Sequence, residues 1–217
     1  MRTITFIIIS LLIYQQSAGQ STRSKVSDSI PTEQNLTATE NTLVNVFLEA
    51  ELKKDRYKYY KEYELFIIEE SVKKTKSIDA YLYSLTEWKS MNRISKISDS
   101  QNMYFLDSLQ LQKINRALQK EQVYHWKVGD FNNLKVGLYK YEELRTIINT
   151  GAFVNLPKRL IIFLSKPLII NENNALISFN IGSGEIGNSI ISHFTVLLRK
   201  ENNEWNDSGY YEDGVYY

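Results

Sequence analysis

Ala175-Leu176-Ile177-Ser178-Phe179-Asn180-Ile181, preceded by Arg159–Leu164 and followed by residues 189–199, is the stretch that decides the fold. All three segments are rich in Ile, Leu, Phe and Val, and turn material separates them at 171–174 and 182–187. Short apolar runs bounded by Asn and Gly read as strands, and their succession predicts an antiparallel meander. Asn202-Asn203 supplies a further turn, Trp205 can pack back onto the sheet face, and the tail 210–217 offers a last strand.

Upstream of Pro157 the periodicity changes. Leu43, Val44, Phe47, Leu48 and Leu52 recur at helical spacing behind the cap candidates at 39–41, predicting a helix that ends near Lys54. Residues 57–74 are ambiguous. Leu65-Phe66-Ile67-Ile68 suits a buried strand or a helix face, and the charged flanks Glu62, Glu64, Glu69, Glu70, Lys73 and Lys74 favour helix. Residues 78–88 read as an amphipathic helix capped at Ser77, and another helix starts at Asp107 or Ser108. Between them, 91–102 reads as a loop. Residues 123–128 alternate as a strand, 134–139 form a second short strand, and 141–149 form a helix stopped by Gly151. Helices first and sheet last predict one α+β domain over 41–217, helical over about 41–150 and sheet-rich over about 157–217, with helices covering one sheet face.

The first twenty residues carry a different message. Arg2, an apolar run from Ile4 to Tyr14 and Ser17-Ala18-Gly19 have the layout of a secretory signal peptide over residues 1–19. A cut before Gln20 is expected, with a cut after Ala18 as the near alternative and an uncleaved anchor as the other. The run is shorter than the roughly 20 apolar residues that cross a bilayer as a helix. No later apolar window approaches that length, so the exported chain is expected to be soluble, periplasmic or secreted, with no stable membrane span after leader removal. Residues 20–40 are polar and read as a disordered linker.

Composition removes several chemistries. With 0 Cys there is no disulfide, thiolate metal site, cysteine nucleophile or lipoprotein attachment point. Lys+Arg 26 against Asp+Glu 25 gives no electrostatic reason to expect a nucleic-acid partner. Tyr 15 is high enough to suggest a sugar-binding aromatic surface, although AT-rich coding produces the same excess. Gly182-Ser183-Gly184-Glu185-Ile186-Gly187 matches the dinucleotide-binding glycine pattern, but a strand, not a helix, follows it; a hairpin loop is the better reading, and no cofactor is expected. With His 2 and no ligand spacing, no metal site is expected either.

The catalytic candidates are His193, on a strand face with Ile191, Thr195 and Leu197, and the acids Glu185 and Glu204, which with Glu212 and Asp213 could gather at one end of the meander. Paired carboxylates are what glycoside cleavage requires. The binding candidates are Trp205, Tyr210 and Tyr211. Leu164-Ser165-Lys166-Pro167-Leu168-Ile169, then Asn173 to Ile177, then Leu197 to Trp205, resemble the corresponding strands and hairpin of small exported proteins of unknown function from Bacteroidetes-type bacteria. The resemblance covers roughly the last sixty residues and implies no catalytic residues. The sequence thus points to an exported, non-catalytic protein that binds a protein or glycan of the cell envelope. A small metal-independent hydrolase using carboxylates and His193 is the alternative.

Overall fold

A computed structural model describes residues 35–92, 103–184 and 189–214. The expected signal peptide, most of the expected linker, Glu185 and nearly all of the loop expected at 91–102 lie outside the described residues. Within them the protein is α+β, with 7 strands in one sheet in the order β2 (Val136–Tyr139), β1 (Glu64–Ile68), β3 (Arg159–Leu164), β5 (Asn174–Ser183), β6 (Ser189–Glu201), β7 (Glu204–Tyr211), and with β4 (Leu168–Asn171) beside β5.

Helix α1 (Ala38–Leu52) begins inside the stretch expected as linker, because Thr37 closes a capping box. The Thr37 hydroxyl accepts from the Glu40 N–H at 3.2 Å and the Glu40 carboxylate accepts from the Thr37 N–H at 2.9 Å. Glu40 also pairs with Lys166 at 3.1 Å. The apolar stripe Leu43, Val44, Phe47 and Leu48 is fully buried against the sheet.

Residues 57–74 correct the expectation of a helix. A 3-10 turn (Asp55–Tyr60) leads into β1 (Glu64–Ile68). This strand lies parallel to β2 (Val136–Tyr139) on one side and β3 (Arg159–Leu164) on the other. Ile67 packs with the α1 cluster and Ile68 with Leu144 of α4 (Tyr141–Asn149), so both strand faces are covered. A strand in that position requires a continuous apolar run and not alternation. Of the charged flanks Glu64 opens the strand and the others fall outside it, where Glu70 accepts from the Tyr141 N–H at 2.8 Å.

The sheet is therefore not confined to the C-terminal part, since β1 and β2 come from the half expected to be helical. From β3 onward the pairing is antiparallel: β5 (Asn174–Ser183) runs beside β3 and then beside β4 (Leu168–Asn171), and β6 (Ser189–Glu201) and β7 (Glu204–Tyr211) follow in turn. Asn202 and Asn203 both have positive φ, as a two-residue hairpin turn demands.

Helices cover both faces of this sheet, not one. Ala175, Ile177, Phe179 and Ile181 of β5 join the α1 cluster. On the opposite face Leu176 and Leu197 join Ile78 and Tyr81 of α2 (Thr75–Asn92) and Leu118 of α3 (Ser108–Leu118). Asp107 caps α3 as anticipated. Ser77 does not cap α2: it lies within the helix, and the Glu121 carboxylate accepts from the Lys74 N–H at 2.8 Å at the helix entrance. Residues 123–128 form one bridge, Glu70 with His125, and no strand. Tyr124 and Trp126 are buried as the alternation suggested, whereas Val128 is 56% exposed and enters the 3-10 turn Val128–Asp130.

Candidate functional site

Two adjacent interior strands, β5 and β6, carry polar side chains where apolar ones would be expected. On the α2 face Ser178 lies opposite Thr195 and Asn180 opposite His193 in the β5–β6 register. A bulge sets this phase: Ile181 pairs with Ser192 but Gly182 with Ile190, so Ile191 is the extra residue and packs with the α1 cluster. Ile191 therefore does not share the His193 face as the plain alternation implied.

The first turn of α2 lies over this polar row. Ser178 Oγ is 2.8 Å from Ser77 Oγ and 2.8 Å from Thr195 Oγ1, and the Ser178 N–H donates to Ser165 Oγ at 2.8 Å. These buried hydroxyls satisfy one another. Beside them opens a cleft of ≈ 220 Å³ lined by Val72, Lys76, Phe163, Phe179 and Phe194 together with Ser178, Asn180, His193, Thr195 and Asp213. The Asn180 Oδ1 atom is buried there and accepts no hydrogen bond from the described residues.

One wall of the cleft comes from residues 212–214, which follow β7 and lie against α2. The Ser84 hydroxyl donates to the Glu212 carbonyl at 3.1 Å. Gly214 has φ +72 and lies so close to Tyr83 that a Cβ would fall 2.5 Å from the ring. Held between these points, Asp213 Oδ1 stands 3.2 Å from His193 Nδ1. A carboxylate beside Nδ1 restrains the orientation of the imidazole.

The other candidates fall elsewhere. Glu204 opens β7 at the hairpin, paired with Glu201. Eight residues of β6 separate Glu201 from His193, about 27 Å of strand, so Glu204 cannot share a site with it. Glu185 lies outside the described residues. Tyr211 is a core residue, 0% exposed, whose hydroxyl donates to the Met103 carbonyl at 2.6 Å. Burial pushes its phenol pKa up. Trp205 is half-buried and lines a shallow, larger groove of ≈ 630 Å³ with Thr39, Thr42, Ile169, Asn171 and Lys200.

Tyr210 belongs to an ionic cluster around Glu51, a carboxylate with 0% exposure. Glu51 accepts from Lys54 at 2.7 Å and the Tyr57 hydroxyl at 2.8 Å and forms an ion pair with Arg56 at 2.6 Å. Lys54 bridges to Asp207 at 2.7 Å, and the Tyr210 hydroxyl bonds both Lys54 and Asp207. The hydrogen bond from Lys54, then that from Tyr210, holds the Asp207 carboxyl below its ordinary pKa. This cluster ties β7 to the end of α1.

Ser178, Asn180, Thr195 and Lys76 were not singled out from the sequence. The signal was present at two of them, because Ser178 and Asn180 interrupt the apolar run of residues 175–181 and stand two apart, hence on one face. The helix that covers them, and the bulge that brings His193 opposite Asn180, are tertiary facts.

No family model, no curated protein and no solved structure matches this chain. The functional reading therefore rests on the site itself.

Proposed function

We propose that this protein is an exported, non-catalytic binding domain that seats a small polar molecule, or the polar end of a larger envelope component, in the α2 cleft. One observation carries the reading: side chains from α2, β5, β6 and the 212–214 segment converge on an apolar-walled cavity in which Asn180 Oδ1 is left for a donor. Export is supported by the leader sequence, and no helix among the described residues is long and apolar enough to cross a membrane. The hydroxyls of Ser178 and Thr195 bond to each other, which suits a fixed wall better than an activated nucleophile. The test is a thermal-shift and calorimetric screen with amino acids, mono- and disaccharides and short peptides. At least one class should stabilise the wild type, and Asn180→Leu, of similar volume, should weaken that binding by about tenfold or more, the loss of one or two good hydrogen bonds. Equal binding by the variant would remove the cleft from consideration.

A second reading is favoured by the His193–Asp213 pair alone. An imidazole oriented through Nδ1 can serve as general base towards a water in the cleft, as a small hydrolase would need. Ester and glycoside turnover that His193→Gln abolishes, while the fold persists, would favour it over simple binding.

A further inference from the structure

Arg159 opens β3 with its side chain on the same sheet face as the cleft, two side-chain positions along the strand from Phe163. It is 1% exposed. Among the described residues only its Nη1 is engaged, donating to the Pro157 carbonyl at 3.2 Å. Nε and Nη2 are buried and have no partner among the described residues. Those two are the nitrogens on one edge of the guanidinium, the edge that gives two parallel N–H···O bonds to a single carboxylate or phosphate.

The surroundings are shaped for this side chain. Gly184 lies directly against it, and a Cβ there would come within 2.7 Å of Arg159 Cγ and 2.8 Å of Nε. The Gly184 N–H donates to the Arg159 carbonyl at 2.9 Å, fixing the two strand ends together. Arginine cannot shed its charge at any ordinary pH, and a buried charge without a counter-charge is strongly unfavourable. A buried guanidinium whose Nε and Nη2 have no acceptor among the described residues therefore calls for an anion.

We propose that Arg159 is the seat of an oxyanion-binding site that takes the carboxylate or phosphate group of a small ligand in two-point contact. The site stands independently of the cleft reading, since it uses none of the cleft's side chains.

The test uses the whole protein in chloride, in inorganic phosphate and in acetate or succinate at matched ionic strength. Thermal unfolding should rise by about 2–5 °C at tenfold excess of the favoured anion over its Kd. The Nε–H resonance of Arg159 should shift saturably over the same range. Preference for phosphate or for carboxylate tells the two sources apart. Arg159→Lys keeps the charge and loses the edge, so its anion response should vanish. Two results would overturn the proposal. One is a wild-type response to both anions no larger than to chloride, or one that Arg159→Lys retains. The other is a carboxylate of the chain itself as the partner. In that case Glu64→Gln or Glu185→Gln would destabilise as much as Arg159→Gln, with no added loss in the double variant. The wild-type titration decides the matter even if the Arg159 variants do not fold.

Discussion

Glu51 shows what a single buried carboxylate does in this molecule. It lies at the end of α1 with no solvent contact, and two cations and a phenol supply the hydrogen bonds that water would otherwise give. Removing one member of such a group strands the others. Glu51→Gln keeps the shape but not the charge, and should cost about 1–3 kcal/mol in urea unfolding, with Tyr210 becoming more mobile. An unchanged midpoint would mean that Lys54 and Arg56 are already adequately solvated. Ser165-Lys166-Pro167 behaves similarly at the residue scale. Ser165 binds the Ser178 backbone, Lys166 pairs with Glu40 at the α1 cap, and Pro167 stands where the β3 pairing gives way to β4. The sequence made this triplet conspicuous, but nothing in it named Glu40, 126 residues away, as the partner.

Among the elements, those governed by local chemistry were legible from the sequence: β3 and α4 have their expected bounds, Asp107 caps α3, and Asn202-Asn203 turns the β6–β7 hairpin. Elements whose state depends on distant neighbours were not. Leu65 to Ile68 become a strand because β2 and β3 lie on either side, whereas residues 123–128 meet the chain after β1 through the single Glu70–His125 bridge and form no ladder. The site divides in the same way: His193 and Asp213 were each identifiable, whereas their pairing and the neighbour Asn180 depend on strand register and on the 212–214 segment. Gly137 illustrates the tight fit between β1 and β2. A Cβ on it would fall 2.3 Å from the Phe66 ring, which itself stacks on Tyr139 at 4.3 Å. Gly137→Ala should therefore destabilise by about 1–3 kcal/mol, and Gly137→Ala with Phe66→Leu should recover part of that loss. If the single change proved neutral, the ring would have to turn aside freely.

For the whole molecule, acid is the revealing perturbation. Burial raises the Glu40 carboxyl, but the Thr37 N–H and the Lys166 ammonium outweigh it and hold the group below its ordinary 4.5; Asp207 is likewise held below 3.8 by Lys54 and Tyr210. Both carboxyls bind protons more weakly when folded, so the unfolded chain takes up protons first as the pH falls. Their contribution is complete above the ordinary values and is lost as the pH drops through the folded ones. Urea midpoints should decline below about pH 4.5, and Glu40→Gln with Asp207→Asn should flatten that decline; identical slopes would assign acid sensitivity elsewhere.

The place of β1 in the sheet has a temporal meaning as well. The hairpins linking β5, β6 and β7 close over a few residues, whereas β1 meets β3 only after some ninety intervening residues have been gathered in. Loop-closure entropy makes that docking a late event, completed after the hairpins have formed the folding nucleus. Core substitutions in β1 are then expected to leave the refolding rate nearly untouched and to hasten unfolding. The lifetime of the folded state is set on the parallel side of the sheet, away from the cleft.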